Sequence, residues 1–248
     1  MDITLLIIFV VAFVLSFIFA LGGIGSALVL IPSLSALGLP FSEARAVGLF
    51  CNGISMVGAT YSNIRNKRLD FRLGLPIIIS SILLAPIGAW TGHLIAARSL
   101  LIIFILFLTF SGIMMLFFKS SKYKDQYRQD QPFIGPLLTG VVAGFLSGLL
   151  GVGGGGVIAP LMIMQGFNPK KVVTITALAV PFSSFSAFLT YALMGSVPWG
   201  MLFVVAVAAW AGGYLGTIVM HKKMHPLVVK KFLGGVILVL AVRLMFTL

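Results

Sequence analysis

Glycine is concentrated in two segments whose spacing could build a binding site for a small anion. Residues 147–160 read SGLLGVGGGGVIAP, and residues 22–32 read GGIGSALVLIP. Glycine is less favourable than alanine inside a helix by about 1 kcal/mol, so these runs predict helix breaks. The N–H groups that open a helix after such a break converge with the positive end of its dipole, which suits an anion. Without Cβ atoms the backbone can also approach a ligand closely.

Polar side chains that follow each glycine segment supply further hydrogen-bond donors for an oxyanion. Asn52 and Ser55 follow the first segment, and Ser183 and Ser184 follow the second. Polar residues are equally common at helix contacts in membranes, so a packing role is the open alternative. The candidate binding residues are Gly22, Gly23, Gly25, Asn52, Ser55, Gly153, Gly154, Gly155, Gly156, Ser183 and Ser184.

Three basic residues near the glycine segments are candidates for attracting an anion by their charge. Arg45 lies in FSEAR after the first segment, and Lys170 and Lys171 lie in NPKK after the second. Short basic loops also set the orientation of membrane proteins, which is the alternative role for the two lysines.

The elements that must position these residues are membrane helices. The 248 residues are 60% hydrophobic and 9% charged, which leaves too little polar surface for a water-soluble domain. Apolar blocks of roughly membrane-spanning length recur along the chain and predict an all-α polytopic membrane protein, whose partner is the lipid bilayer. The blocks span residues 3–21, 46–62, 73–97, 99–118, 134–150, 172–193, 198–220 and 227–247.

The composition argues against several other classes of protein. The single cysteine, Cys51, allows no intrachain disulfide and no cysteine-rich metal site. The formal net charge of +12 comes from basic residues in short loops without a nucleic-acid-binding motif, so nucleic acid is not an expected partner. Three scattered histidines and five carboxylates, none in the middle of an apolar block, predict no catalytic residue, metal site or cofactor.

The chain contains two related copies. We interpret 1–118 and 132–248 as transmembrane repeats joined by the hydrophilic linker 119–131. A glycine pair with GxxxG spacing in each copy is typical of close helix packing. The matches are Phe17 with Phe145, Gly23 with Gly151, Gly25 with Gly153, Pro32 with Pro160, Ser55 with Ser183 and, at a shorter offset, Gly88 and Gly92 with Gly212 and Gly216.

The basic loops predict how the copies cross the membrane. If every apolar block crosses once, the basic loops divide evenly between the two sides. If each glycine segment enters the membrane and turns back, they share one side, which the positive-inside rule makes cytoplasmic. The sequence therefore favours inverted repeats, each with a broken, re-entrant segment and three transmembrane helices. Residues 134–165 are too short for two crossings, and one long, tilted, glycine-kinked helix is the alternative.

The paired motifs GGIGSALVLIP and GVGGGGVIAP resemble those of the sulfite exporter TauE/SafE family of membrane permeases. The resemblance covers nearly the whole chain, although the first motif has GGIGS where a fuller glycine run is typical. It implies transport of a small sulfur-containing anion, such as sulfite or a sulfonate, across a prokaryotic plasma membrane. We expect an exporter that alternates access around a midplane site between the broken helices. A non-transporting structural or assembly protein and a carrier of a different small anion are the alternatives.

Overall fold

The computed structural model describes residues 3–36, 38–117, 127–195, 197 and 199–246, and this part of the chain is helical, without strands. The order of one long helix, one short helix and three long helices occurs twice. The helices are α1 (Ile3–Ala20), α2 (Ala27–Ala36), α3 (Phe41–Arg65), α4 (Phe71–Leu94), α5 (Ala97–Phe117), α6 (Ile134–Leu150), α7 (Gly155–Met164), α8 (Pro169–Leu193), α9 (Trp199–Lys223) and α10 (Pro226–Met245).

The apolar blocks correspond to the eight longer helices, and local capping explains where two of them begin. The Asp70 carboxylate accepts a hydrogen bond (3.3 Å) from the backbone N–H three residues further on, at the start of α4. The Asn168 side-chain oxygen caps α8 by accepting a hydrogen bond (2.9 Å) from the backbone N–H of Lys170, and Pro169 follows Asn168. Helix α3 begins at Phe41, earlier than the block 46–62 predicts, because the polar FSEAR segment contains no helix breaker.

Both glycine segments interrupt the helix. Helix α1 ends at Ala20 and α2 begins at Ala27, while α6 ends at Leu150 and α7 begins at Gly155. In each gap two glycines adopt the left-handed backbone conformation, which side chains disfavour. These glycines are Gly23 (φ 66°), Gly25 (φ 86°), Gly151 (φ 75°) and Gly153 (φ 72°).

The end of α7 lies beside the start of α6. The Gln165 Nε2 group donates hydrogen bonds to Thr139 Oγ1 (2.8 Å) and to the Gly135 carbonyl oxygen (3.3 Å). One residue further on, the Gly166 carbonyl oxygen accepts a hydrogen bond (3.0 Å) from the Arg128 N–H of the linker. The two ends of the α6–α7 segment are therefore in contact.

Helices α3 and α8 pack against each other and run in opposite directions. As the residue number rises along α3, the number of the hydrogen-bonded partner falls along α8. The bonds run from Arg45 Nη1 to the Tyr191 hydroxyl oxygen (3.1 Å), from Asn52 Nδ2 to Ser184 Oγ (2.9 Å) and from Thr60 Oγ1 to the Ala177 carbonyl oxygen (2.6 Å).

Glycines with GxxxG spacing hold α4 against α6 and α9 against α1. A Cβ atom at Gly88 would overlap the Phe145 carbonyl oxygen, and one at Gly216 would overlap the Phe17 carbonyl oxygen. The other glycine of each pair contacts the same neighbouring helix in the same way. The prediction that these glycines serve close helix packing is confirmed.

Several polar loops meet at one end of the helix bundle, which we call the basic end. Lys171 forms an ion pair with Asp70 (2.8 Å), and Gln131 Nε2 donates to the same carboxylate (3.3 Å). Lys170 Nζ donates to the His221 carbonyl oxygen (3.3 Å). These contacts join the loop before α4, the linker, the start of α8 and the end of α9.

The outer surface of the bundle is apolar. Within the described chain, α4, α8 and the part of α9 from Leu202 to Lys223 are long and apolar enough to cross a membrane. Large hydrophobic side chains such as Leu83, Trp90 and Phe203 are exposed, whereas Asn52 is buried. A bundle that faces lipid requires this distribution, because hydrocarbon cannot satisfy polar groups. The chain is a multi-pass membrane protein.

Candidate functional site

The two helix breaks touch each other in the interior of the bundle. A Cβ atom at Gly155, the first residue of α7, would overlap the carbonyl oxygen of Ile24 in the first break. The next residue, Gly156, lies against Leu28, whose Cδ1 is 3.2 Å from the position of a Cβ atom. The opening N–H groups of α7 have no acceptor within their own helix. The positive end of the α7 dipole is therefore held against the first break.

Asn52 of α3 lies between the two breaks and is completely buried. Its Oδ1 atom lies against Gly25 and its Nδ2 atom against Gly153, so closely that a Cβ atom on either glycine would overlap the amide. The Nδ2 group donates to Ser184 Oγ (2.9 Å), and Oδ1 has no hydrogen-bond partner among the described residues. One amide side chain thus contacts both breaks at the point where they meet.

Ser183 and Ser184 of α8 line the second break. Ser184 Oγ is 3.0 Å from the position that a Cβ atom on Gly153 would occupy, and Ser183 Oγ is 3.3 Å from the corresponding position on Gly154. Ser183 also donates to a carbonyl oxygen of its own helix (3.1 Å). The structure brings together six of the predicted residues, which we call the glycine site: Gly25, Asn52, Gly153, Gly154, Ser183 and Ser184.

The remaining predicted residues of the first copy lie around the glycine site rather than in it. Gly23 is packed against Val173, whose Cγ1 is 2.7 Å from the position of a Cβ atom. Gly22 is buried in the preceding turn. Ser55 Oγ is buried without a hydrogen-bond partner in the described structure and lies toward Gly213 of α9.

Arg45 is buried beside the second break, with 7% of its surface exposed. Its Cδ atom is 2.8 Å from the position of a Cβ atom on Gly151. Its Nη1 group donates to the Tyr191 hydroxyl oxygen (3.1 Å), and the guanidinium carbon lies 4.8 Å from the centre of the Tyr191 ring. The Tyr191 hydroxyl donates to the Gly148 carbonyl oxygen (2.9 Å) in the last turn of α6. A positive charge therefore stands at the C-terminal end of α6.

The sequence indicates Arg45 as a basic residue near the site, but it contains no signal that indicates Tyr191. The two residues are 146 positions apart in the chain, so no local motif links them. An aromatic residue near the end of an apolar block is also typical of a membrane interface. The pairing of Tyr191 with a buried cation is visible only in the structure.

Lys170 and Lys171 lie at the basic end and not beside the second break. Lys171 is paired with Asp70, and Lys170 bonds to the His221 carbonyl oxygen. Their role in attracting an anion stays a prediction.

Cys51 lies outside the glycine site, with its Sγ atom 3.8 Å from Ser16 Oγ and 3.7 Å from Ser26 Oγ. In the part of the chain that the structure describes, no three His, Cys, Asp or Glu side chains group together in a way that could hold a metal ion. The chemistry available at the breaks is therefore hydrogen bonding and charge: backbone N–H groups, the Asn52 amide, two serine hydroxyls and the nearby Arg45.

Comparison with known proteins identifies the family. A family model described as sulfite exporter TauE/SafE matches residues 8–244. The chain belongs to the sulfite exporter TauE/SafE family. It is therefore a membrane transporter of the TauE/SafE type, and the resemblance of its paired glycine motifs to this family is confirmed.

Similar proteins come from bacteria, archaea and plants. The chain is 24% identical over 249 residues to the probable membrane transporter protein YunE of Bacillus subtilis, covering 90% of this chain and 91% of that protein. It is 30% identical over 195 residues to the probable membrane transporter protein MJ0441 of Methanocaldococcus jannaschii, covering 75% and 71%. A plant relative, sulfite exporter TauE/SafE family protein 1 of Arabidopsis thaliana, is 31% identical over 108 residues, covering 44% and 23%. No solved structure matches the chain.

Proposed function

We propose that the chain exports sulfite, sulfonates or related small sulfur-containing anions and binds them at the glycine site. The class of anion rests on the family and on the name of the plant relative. The observation that carries the proposed binding place is Asn52, buried between the two breaks with its Oδ1 atom unpartnered in the described structure. The amide offers a donor and an acceptor at one point, so it can hold a protonated oxyanion such as hydrogen sulfite from both sides.

The charges around the glycine site favour an anion over a cation. An ion in the interior of a membrane protein needs compensating charge or hydrogen bonds, because desolvation is costly. Arg45 supplies a full positive charge at the second break, and the N-terminal end of α7 supplies a partial one. A cation at the same place would lose its hydration shell and would be repelled by the Arg45 charge and by the N-terminal end of α7.

Transport would follow from an inverted arrangement of the two copies, with the glycine segments entering the membrane and returning. The contact of Gln165 with Gly135 supports a hairpin, and the antiparallel contact of the corresponding helices α3 and α8 supports inversion. The basic end would face the cytoplasm under the positive-inside rule. Rocking of the copies about the glycine site would then open it to one side at a time.

Export needs no coupling ion under this proposal. With the cytoplasm negative, moving an anion outward is favoured by about 2.3 kcal/mol per charge per 100 mV. A prokaryotic plasma membrane maintains such a potential. The membrane potential would therefore drive the anion from the basic end to the opposite end.

Sulfite counterflow in proteoliposomes tests the substrate and the site together. Saturable exchange should be lost in Gly154→Leu, which fills the space before Ser183, and retained in Gly200→Leu, where nothing lies within 4 Å of the added Cβ. Sulfoacetate, thiosulfate, sulfate and chloride serve as competitors. Stronger competition by chloride than by any sulfur anion would show that sulfur-containing anions are not the preferred substrates. If folded protein exchanges none of these anions, the proposal that the chain transports small sulfur-containing anions is rejected.

Single cysteines introduced on a Cys51→Ala background test the orientation. Gln131→Cys and Asn168→Cys should both react with a membrane-impermeant thiol reagent from the cytoplasmic side only. Trp199→Cys should react from the opposite side only. Reaction of positions 131 and 168 from opposite sides would mean that the α6–α7 segment crosses the membrane once, and it would exclude the hairpin.

A further inference from the structure

A second group of buried polar side chains lies at the basic end, apart from the glycine site. Asn63, near the end of α3, has no exposed surface, and neither atom of its amide has a hydrogen-bond partner in the described chain. Thr217 of α9 is 1% exposed, and its Oγ1 atom also lacks a partner there. A buried polar group without a partner costs about 1–3 kcal/mol, so such groups call for a partner, which can be a bound water, an ion or a larger ligand.

Two basic residues are hydrogen-bonded to the helices that carry these polar groups. Lys170 Nζ donates to the carbonyl oxygen of His221, which lies one turn beyond Thr217 on α9. The backbone N–H of Arg68 donates to the backbone carbonyl oxygen of Asn63 (3.0 Å). This bond holds the loop after α3 against the end of that helix. Because the end of α3 lies beside the start of α8, the loop that carries Arg68 and the contact of Lys170 with His221 share one end of the bundle. The Nη1 atom of Arg68 and the Nε2 atom of His221 are buried without a hydrogen-bond partner among described residues.

The register of α3 against α8 explains why these residues meet. Asn52 is bonded to Ser184, and Thr60 to Ala177. Continuing this antiparallel register places Asn63 opposite roughly residue 174, about one helical turn from Lys170. Helix α3 also packs along α9, which carries the other polar groups. The cluster is therefore built where helices of both copies converge.

The chemistry of the cluster matches an oxyanion. A guanidinium group, an ammonium group, an amide, a hydroxyl and an imidazole can all donate hydrogen bonds. Asp70 is the carboxylate closest in sequence to Arg68, and it is occupied by Lys171, by Gln131 and by the N–H at the start of its own helix. Two cations and several neutral donors at one end of the bundle can together supply the charge-assisted hydrogen bonds that oxyanions prefer.

We propose that Asn63, Arg68, Lys170, Thr217 and His221 form a second binding site for a small oxyanion, which we call the basic-end site. It lies at the basic end, on the side from which an exported anion would arrive. Its role as a first stop for the transported anion rests on the proposed function. Binding itself does not, because the basic-end site shares no residue with the glycine site.

Equilibrium dialysis with radiolabelled sulfite counts the bound anions in purified protein. We expect about two per chain in the wild type, one in Arg68→Gln and one in Asn52→Ala. Arg65→Gln is the matched control, because it removes one charge from the same end of α3 but from an exposed side chain that contacts Tyr214. It should retain two. Arg68→Lys keeps the charge and should restore the second anion with at most about a tenfold weaker affinity.

The possible outcomes separate the two sites. One anion per chain in the wild type that survives Arg68→Gln and is lost in Asn52→Ala overturns the basic-end site and leaves the glycine site. One anion per chain in the wild type that is lost in Arg68→Gln and survives Asn52→Ala overturns the glycine site and leaves the basic-end site. Equal losses in Arg65→Gln and Arg68→Gln show a diffuse surface effect and overturn the basic-end site. No bound sulfite in folded wild-type protein overturns both. An unchanged thermal midpoint shows that each variant is folded.

Discussion

The two helix breaks occupy corresponding places in the two copies, but the residue packed against each one differs. Gly23 lies against Val173, with Cγ1 2.7 Å from the position of a Cβ atom, and Gly151 lies against Arg45, with Cδ 2.8 Å from the equivalent position. The two glycines are 128 residues apart, and so are Arg45 and Val173. The same contact is therefore apolar in one copy and cationic in the other.

This difference separates what a duplicated backbone must keep from what it can change. The left-handed glycines recur because each break needs them at both positions. The neighbouring side chain is free to differ, since valine and the aliphatic stem of arginine fill similar space beside a glycine. As a result, the second break has a charged side chain at this contact, whereas the first break has the uncharged Val173 in the same place.

The largest effect is expected where the two breaks touch. A Cβ atom added in Gly155→Ala would overlap the backbone of Ile24, which cannot move aside as a side chain can. Overpacking of this kind costs about 1–3 kcal/mol, so we expect a lowered thermal midpoint and loss of sulfite counterflow. Gly156→Ala is the control, because its Cβ would meet no backbone atom but only the side-chain ends of Leu28, at 3.2 Å, and Ile24, at 3.6 Å. Equal losses in both variants would show that the contact between the breaks has no special role.

Removing the charge that distinguishes the second break should have the next largest effect. In Arg45→Met the aliphatic stem remains but the guanidinium group is lost, so we expect the KM for sulfite to rise by about tenfold, equivalent to about 1.4 kcal/mol. Val173→Thr is the control at the corresponding position and should change KM by less than about threefold, because a helical threonine can bond to its own backbone. Arg45→Lys should recover part of the loss. A lowered thermal midpoint with unchanged KM would instead make Arg45 a purely structural residue.

A smaller effect is expected when only the hydrogen bonds of the second break are removed. Tyr191→Phe keeps the ring beneath the Arg45 guanidinium but loses the hydroxyl that accepts from Arg45 and donates to the Gly148 carbonyl oxygen. A typical hydrogen bond contributes about 1 kcal/mol, so we expect KM to rise by roughly threefold to eightfold. The exposed Tyr61→Phe should leave counterflow unchanged. A change as large as that of Arg45→Met would mean that the hydroxyl, rather than the charge, sets the affinity.

The smallest effect is expected at the basic end, where Asp70 and Lys171 join the two copies. Burial acts to raise the pKa of the Asp70 carboxyl, but hydrogen bonds from Lys171 and from the Leu73 N–H outweigh it and hold this pKa below its ordinary value. The pair therefore stabilises the fold above the ordinary carboxyl pKa, and this stabilisation is lost as the pH falls through the lowered pKa. Because both side chains are partly exposed, it amounts to at most about 1 kcal/mol.

Thermal midpoints of the wild type, Asp70→Asn, Lys171→Met and the double variant measure this coupling. The four values should show an interaction at about pH 7 that becomes smaller as the pH falls through the lowered pKa of the Asp70 carboxyl. An interaction that keeps its size over this fall in pH would contradict the assignment of the stabilisation to the ionised pair.

The helices and their breaks were largely predictable because they depend on local composition. Apolar runs give the longer helices, and glycine runs mark the breaks at 21–26 and 151–154. Asn52, Ser183 and Ser184 were predictable as polar groups that follow a glycine segment. The short helices α2 and α7 fall below the length at which an apolar run indicates a separate membrane helix.

The buried partners of the charges could not be predicted in the same way. Arg45 and Lys170 both appear in the sequence as basic residues near the end of an apolar block, yet Arg45 is buried under Tyr191 and Lys170 borders a polar cluster. Asn63 likewise has the sequence context of an ordinary helix end. Which polar group meets which depends on the packing of α3 against α8 and α9, and no periodicity within one segment contains that information.

The exchange of helices between the copies has a consequence for biosynthesis. Helix α1 packs on α9, and α6 packs on α4, each through backbone contacts that glycines such as Gly88 and Gly216 permit. During translation α1 must therefore wait for α9, which belongs to the second copy and is made after all the helices between them. Neither copy can complete its own core, so a gene split within the linker should yield two unstable halves. When co-expressed, the halves should protect each other from proteolysis in the cell.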